Sequence, residues 1–213
     1  MVVFALALFL PAGTAAWPAG WAFLALFFGF VVALSAWLLR FNPDLLVERM
    51  TGIGKADQQQ WDKVFFVIVA VAFFAWLAVM ALDAVRYHGS RMSPWLQGFG
   101  AAVLLNSFYL FYLTFRENAY LSPAVRVQSE RSQTVVSTGP YRHVRHPMYT
   151  AFALFTTSTA LLLGSWYGLL GGLLLVVMVA RRAVLEERVL LKELAGYGTY
   201  MTQVRYRLMP HVW

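Results

Sequence analysis

Residues 147–180 read PMYTAFALFTTSTALLLGSWYGLLGGLLLVVMVA, thirty-four positions without a charged side chain. A helix rises ~1.5 Å per residue, so about 20 apolar residues cross the ~30 Å hydrocarbon core of a bilayer. This run is too long for one crossing and short for two. Gly164-Ser165 stands at its centre, so a tight helical hairpin is expected, with arms Met148–Leu163 and Trp166–Arg182 that barely span or lie tilted. Gly168, Gly171 and Gly172 would let the second arm approach a neighbouring helix closely.

Upstream, Trp17–Leu39, Val64–Leu82 and Met92–Phe115 are uncharged over 23, 19 and 24 residues. Met1–Ala16, which contains Pro11, is read as a first helix. The rival there is a cleaved signal peptide ending in the small residues Thr14-Ala15-Ala16, and the missing basic n-region argues against it. Downstream of Arg181, Leu185, Val189, Leu190 and Leu194 alternate with charges at helical spacing, which predicts an amphipathic tail helix along the membrane surface or capping the bundle. The expected fold is therefore an all-α polytopic membrane protein. It has about six hydrophobic helices, including the C-terminal hairpin, plus that tail helix, all in one membrane domain over residues 1–213.

Composition agrees. Of 213 residues, 60% are hydrophobic and 13% charged, where a soluble domain carries roughly 25% charged residues. Mean hydropathy is +0.61. Disorder, a coiled coil and an ordinary soluble globule are excluded. Without cysteine there is no disulfide, thiolate metal site or cysteine nucleophile. The net charge of +7 fits basic loops beside anionic lipid better than nucleic acid. If every run crosses, 15 of the 17 basic residues fall on one side, between Arg40 and Lys63, between Arg116 and Arg145, and in the tail. Only Arg86 and Arg91 fall on the other. The positive-inside rule then puts the long loops and the tail in the cytoplasm.

The densest cluster of chemistry-bearing residues is Gly139-Pro140-Tyr141-Arg142-His143-Val144-Arg145-His146-Pro147-Met148-Tyr149, where a polar loop enters the membrane. Ionisable groups at that depth are costly unless paired or facing a water-filled cavity. Interfacial anchoring by arginine and tyrosine is the plain alternative. No metal site is expected, because no further histidine or carboxylate completes a ligand set. A second cluster, Arg181-Arg182-Ala183-Val184-Leu185-Glu186-Glu187-Arg188, follows the hairpin, and Arg182 and Glu186 share one helix face. By itself that pair is an ordinary surface ion pair; the hairpin, however, returns both clusters to one side of the membrane. The hydroxyls of Thr150, Thr156, Thr157, Ser158 and Thr159 are expected to bond carbonyls of the preceding turn. Asn42-Pro43-Asp44 reads as the cap of an interfacial helix without chemistry.

Arg145-His146-Pro147-Met148-Tyr149, a hydrophobic hairpin, and Glu186-Glu187-Arg188-Val189-Leu190, with Tyr197 and Tyr200 beyond, resemble the integral-membrane methyltransferases. These include isoprenylcysteine carboxyl methyltransferase and the phospholipid N-methyltransferases, and the likeness runs from about Val125 to Pro210. It implies that residues 1–115 are upstream transmembrane helices and 116–213 the cofactor-binding catalytic region. The cofactor implied is S-adenosylmethionine. In the isoprenylcysteine branch, Gln128 and the run Gln133-Thr134-Val135-Val136 match cofactor-contacting positions, as do Tyr141, the run His146-Pro147-Met148-Tyr149, and Glu186. Arg182 falls where that branch has an arginine facing the methyl acceptor, and His143 is left as an anchor. Ala151 departs from the glycine that many members carry.

What the resemblance implies is methyl transfer to a lipophilic acceptor at the cytoplasmic face, with isoprenylcysteine-type carboxyl O-methylation in front and phospholipid N-methylation behind it. Methylation of a small thiol or another isoprenoid also stays open. A carboxylate acceptor is ionised at pH 7 and needs no general base, whereas an amine must lose a proton. Two readings of other classes remain. Membrane sterol reductases share a similar C-terminal pattern but use NADPH and more spans, and a non-catalytic scaffold would keep the fold without turnover. Membrane lipid is the other partner expected; nothing in the chain speaks for nucleic acid or for an oligomeric state.

Overall fold

The computed structural model describes residues 1–51, 54 and 58–213. Lys55, one of the basic residues of the charge count, lies outside them. The described residues form helices joined by turns and loops. In chain order these are α1 (Val2–Ala12), α2 (Pro18–Phe41), α3 (Pro43–Thr51), α4 (Gln60–Ala81, prolonged by a π-turn at Leu82–Arg86), α5 (Pro94–Glu117), α6 (Pro147–Leu163), α7 (Trp166–Glu193) and α8 (Tyr197–Gln203). Among the described residues, four helical stretches are long and apolar enough to cross a membrane: Pro18–Phe41, Gln60–Arg86, Pro94–Glu117 and Trp166–Glu193. The chain is an all-α polytopic membrane protein.

Two elements differ in extent from the sequence reading. α1 is an 11-residue helix, ~16 Å long at 1.5 Å per residue, so it does not cover the hydrocarbon thickness. Gly13, at φ 72°, closes it by returning its N–H to Phe9 and Leu10. The amphipathic segment after Arg181 is helical as expected, but it continues α7 rather than forming a helix of its own. α7 runs 28 residues without interruption, because nothing between Arg181 and Leu190 breaks a helix. The break comes at Gly196, at φ 82°, and a second short helix, α8, follows it.

The chain divides into two compact units. The first comprises Met1–Ala33, Ile68–Tyr109 and Ala151–Val177. Its interior is aromatic: Phe155 of α6 lies within 6.5 Å, centroid to centroid, of Phe23, Phe27, Phe73, Trp76, Phe108 and Phe152. The expected small-residue approach of α7 is present. The Trp76 indole N–H donates to Gly168 O at 2.6 Å, and a Cβ on Gly171 would lie 2.6 Å from Trp76 Cδ1. The hairpin turn is Gly164, at φ 81°. Beside it Ser165 and Ser90 both donate to the buried Asp83 carboxylate at 2.5 Å. Thr156 and Ser158 bond carbonyls three residues back, as predicted. The buried Thr159 hydroxyl, however, has no partner among the described residues, and Thr150 reaches His146 O only at 3.4 Å while donating to Leu208 O of the tail at 2.6 Å.

The second unit comprises Leu34–Val67, Leu110–Thr150 and Met178–Trp213. α3 is capped by Asn42, whose Oδ1 accepts from Leu45 N–H at 3.3 Å. Leu38, Leu45 and Phe115 form one buried cluster, and Leu194, Tyr197, Tyr200 and Val204 another.

Candidate active site

The second unit contains a cavity whose walls come from four stretches. Pro147 at the first position of α6 fixes where the helix starts. The preceding Arg145-His146 is held in an extended pair with the tail, Arg145 N–H donating to Tyr206 O and His146 N–H to Arg207 O, each at 2.9 Å. Glu187 ties these segments together. Its Oε1 accepts from Arg145 Nε at 2.6 Å and faces His146 Nε2 at 3.2 Å, while its Oε2 accepts from Arg207 Nε at 2.8 Å. With both oxygens engaged at the base of the tail, Glu187 holds structure.

Glu186, one residue earlier and 100° around the helix, faces the cavity. It accepts a hydrogen bond from Tyr149 O–H at 2.7 Å, and no cation pairs with it among the described residues. The same Tyr149 hydroxyl accepts from Arg182 Nη1. Arg182 is buried; its Nε donates to Asp62 Oδ1 at 2.8 Å and its Nη2 to Pro123 O at 2.6 Å, and its guanidinium lies over Phe65, Phe66 and Tyr149. Glu186, Tyr149, Arg182 and Asp62 thus form one chain of charge-assisted bonds with a free carboxylate at the cavity end.

Of the twelve residues the sequence singled out, ten line this cavity: Gln133, Thr134, Val135, Val136, Tyr141, His146, Met148, Tyr149, Arg182 and Glu186. Gln128 and Pro147 do not. Gln128 is fully buried, with Nε2 donating to Tyr120 O at 2.7 Å and Oε1 accepting from Arg131 at 2.8 Å, so it braces the loop. His143 is exposed and accepts from Arg142 Nε at 3.1 Å.

Three partners were missed in the sequence reading. Asp62, beside Lys63 at the start of α4, resembles a solvated helix end; it is fully buried and also accepts from Val125 N–H and Gln58 Nε2, each at 2.9 Å. Glu48 of α3 accepts from Arg126 at 3.0 Å and from Ser122 at 2.8 Å. Ser122, Ala124, Val125 and Arg126 form part of the cavity wall, so the helix given no chemistry supports the site. The third is Tyr197, which lines the cavity with its hydroxyl buried and without a hydrogen-bond partner among the described residues. Its place in the tail motif was the available signal.

Two features test whether a polar, cationic cofactor suits these residues. A buried hydroxyl without a partner is costly, and Tyr197 offers one to a ligand. An unpaired carboxylate at the wall suits an ammonium or sulfonium charge, and Glu186 is one. The cavity measures about 90 Å³, against about 300–1,000 Å³ for small-molecule pockets. A cofactor-sized ligand therefore needs more room than the cavity has as it stands.

Burial holds the phenols of Tyr141, Tyr197 and Tyr200 protonated above the ordinary tyrosine value of 10.0. For Tyr197, the neighbouring Glu187 and Glu186 add to the effect. The unfolded chain releases these protons near pH 10 while the folded one keeps them, so the stability they confer is whole below pH 10 and lost as pH rises beyond it. Thermal unfolding followed from pH 9 to 11 should show a falling melting temperature, and replacing Tyr197 by phenylalanine should flatten that fall.

Residues 124–197 match the family model described as phospholipid methyltransferase, which covers most of the cavity wall and supports a membrane methyltransferase. No curated protein matches the chain.

Proposed function

We propose that the chain transfers a methyl group from S-adenosylmethionine to a lipophilic acceptor at the cytoplasmic membrane face, with an isoprenylcysteine-type carboxylate as the acceptor class. The observation that carries this is Glu186, a carboxylate on the cavity wall with no cation paired to it among the described residues, whereas its neighbour Glu187, which is not on that wall, is matched by Arg145 and Arg207. The cytoplasmic placement rests on the charge count of the loops.

When bound, the cofactor supplies a methyl group on a cationic sulfonium. Glu186 balances its positive charge, held in place by Tyr149 O–H, and the faces of Tyr141 and Tyr149 add cation–π attraction. Tyr197 O–H donates to one of its polar groups. Leu190, Leu194 and Tyr200 form an apolar cover that excludes water. Arg182 uses three N–H groups on Asp62, Tyr149 and Pro123, leaving one on each terminal nitrogen, the pattern that holds a carboxylate bidentately. Catalysis then comes from positioning, since no proton has to leave the acceptor. One observation favours a second reading, phospholipid N-methylation: Asp62 already balances the Arg182 charge, so an acceptor without a carboxylate leaves no charge unmatched.

Calorimetric titration of the detergent-purified chain with S-adenosylmethionine and with NADPH tests the donor. Micromolar binding of the first is expected. Tyr197→Phe should weaken it about fivefold, the value of one hydrogen bond of ~1 kcal/mol, while the ligand-free variant melts no lower than the parent. Binding of NADPH alone would replace this reading with a reductase, and binding of neither by folded protein would leave a scaffold.

A further inference from the structure

The first unit holds a second cavity, unrelated to the residues of the proposed methyl-transfer site. It measures about 520 Å³, inside the range of about 300–1,000 Å³ for ligand pockets. Its floor is apolar, from Trp17, Pro18, Val85 and Leu163, and its polar side chains include Arg91, His88 and Gln97. Arg91 and His88 have no acidic partner among the described residues. The nearest carboxylate in sequence, Asp83, is not on the wall and is spent on Ser90 and Ser165. One wall of mixed character with an unmatched cation suits a molecule that is anionic at one end and greasy at the other.

A second observation fixes where that molecule would sit. The connections that line the cavity also carry large exposed aromatics: Tyr87 before His88, Trp95 between Met92 and Gln97, and Trp166 and Tyr167 just after Gly164, with Trp95 89% exposed. Amphipathic rings concentrated at one end of membrane helices mark the depth of the lipid headgroups. Arg86 and Arg91 are also the two basic residues that the charge count separates from the other fifteen, so this cation is not part of a general basic surface.

We infer that this cavity binds the phosphate headgroup of an anionic phospholipid. Arg91 and His88 meet the phosphate, Gln97 donates to its ester or glycerol oxygens, and the acyl chains leave across Pro18 and Val85, apolar lining residues that are not buried. The inference does not depend on the methyl-transfer reading, because no residue is shared.

Native mass spectrometry of the full chain in detergent, titrated with phosphatidylglycerol and phosphatidylcholine, tests it. One phosphatidylglycerol should be retained in preference to phosphatidylcholine, and Arg91→Gln should weaken that binding about fivefold, the contribution of one arginine at an anionic lipid surface. Arg188→Gln, exposed on α7, should leave it unchanged. Ala19→Phe, which fills the cavity without touching its charges, should abolish the preference in protein that melts normally. Equal retention of the two lipids, or loss with Arg188→Gln and not with Arg91→Gln, would overturn the inference. Displacement of the lipid by millimolar inorganic phosphate would overturn the lipid assignment in favour of a free anion.

Discussion

Glu186→Gln is expected to weaken S-adenosylmethionine binding about 100-fold and remove methyl transfer, while leaving the melting temperature of the ligand-free protein unchanged or slightly raised. Glutamine keeps the shape and can still accept from Tyr149 O–H. It loses only the negative charge, and opposing a buried ligand cation with a neutral group costs about 2–5 kcal/mol. The ligand-free protein loses no direct ion pair, because Glu186 makes none among the described residues. The adjacent Glu187→Gln should behave in the opposite manner. It strips Arg145 and Arg207 of their carboxylate at 2.6 and 2.8 Å, and a buried arginine left without its partner costs about 3–5 kcal/mol. Its melting temperature should therefore drop by many degrees. Isothermal titration beside calorimetric melting of both variants separates the two roles. Equal loss of stability in both would remove the special place given to Glu186.

Why one glutamate was legible in the sequence and its neighbour's role was not follows from the range of their contacts. Arg145, His146, Tyr149, Glu186 and Glu187 lie on the two sides of one apolar hairpin, and an uncharged run of thirty-four residues can only bring its ends back together. That argument needs hydrophobicity alone, so the assembly of these residues was visible. Dividing labour between Glu186 and Glu187 needs the position of Arg207, which the tail supplies through hydrogen bonds to residues 145 and 146. No periodicity encodes that return. Asp62 and Arg182 are 120 positions apart and Glu48 and Arg126 are 78 apart. Asp62 sits in the first turn of α4, where an exposed carboxylate is also favourable, and Glu48 lies among the polar residues of the short α3, so nothing local distinguishes a buried partner from a solvated one. The single helix through Arg181–Glu193 was obscured for the opposite reason: the change from apolar to charged composition resembles a boundary, although the backbone has no residue that would end a helix there.

Asp62→Asn should destabilise the protein by about 3–5 kcal/mol, the usual cost of removing one member of a buried ion pair. Asp62 is fully buried and its two oxygens serve three donors, Arg182 Nε, Gln58 Nε2 and Val125 N–H. An asparagine presents an NH₂ to at least one of them, so a donor faces a donor. Arg182→Gln alone should cost a similar amount, because the Asp62 carboxylate is then left without its cation. The double variant should cost less than the sum of the two, by about 1–3 kcal/mol, since neither charge remains to be stranded. Strict additivity in denaturant unfolding would show that the pair at 2.8 Å contributes nothing. Arg182→Lys then separates structure from acceptor binding. Lysine keeps the charge opposite Asp62 but lacks the planar fork, so a protein with near-normal melting and cofactor affinity should need far more acceptor for half-maximal rate if the acceptor is a carboxylate. Unchanged acceptor dependence in that variant would leave Arg182 as the counter-ion of Asp62 alone and move the amine acceptor to the front.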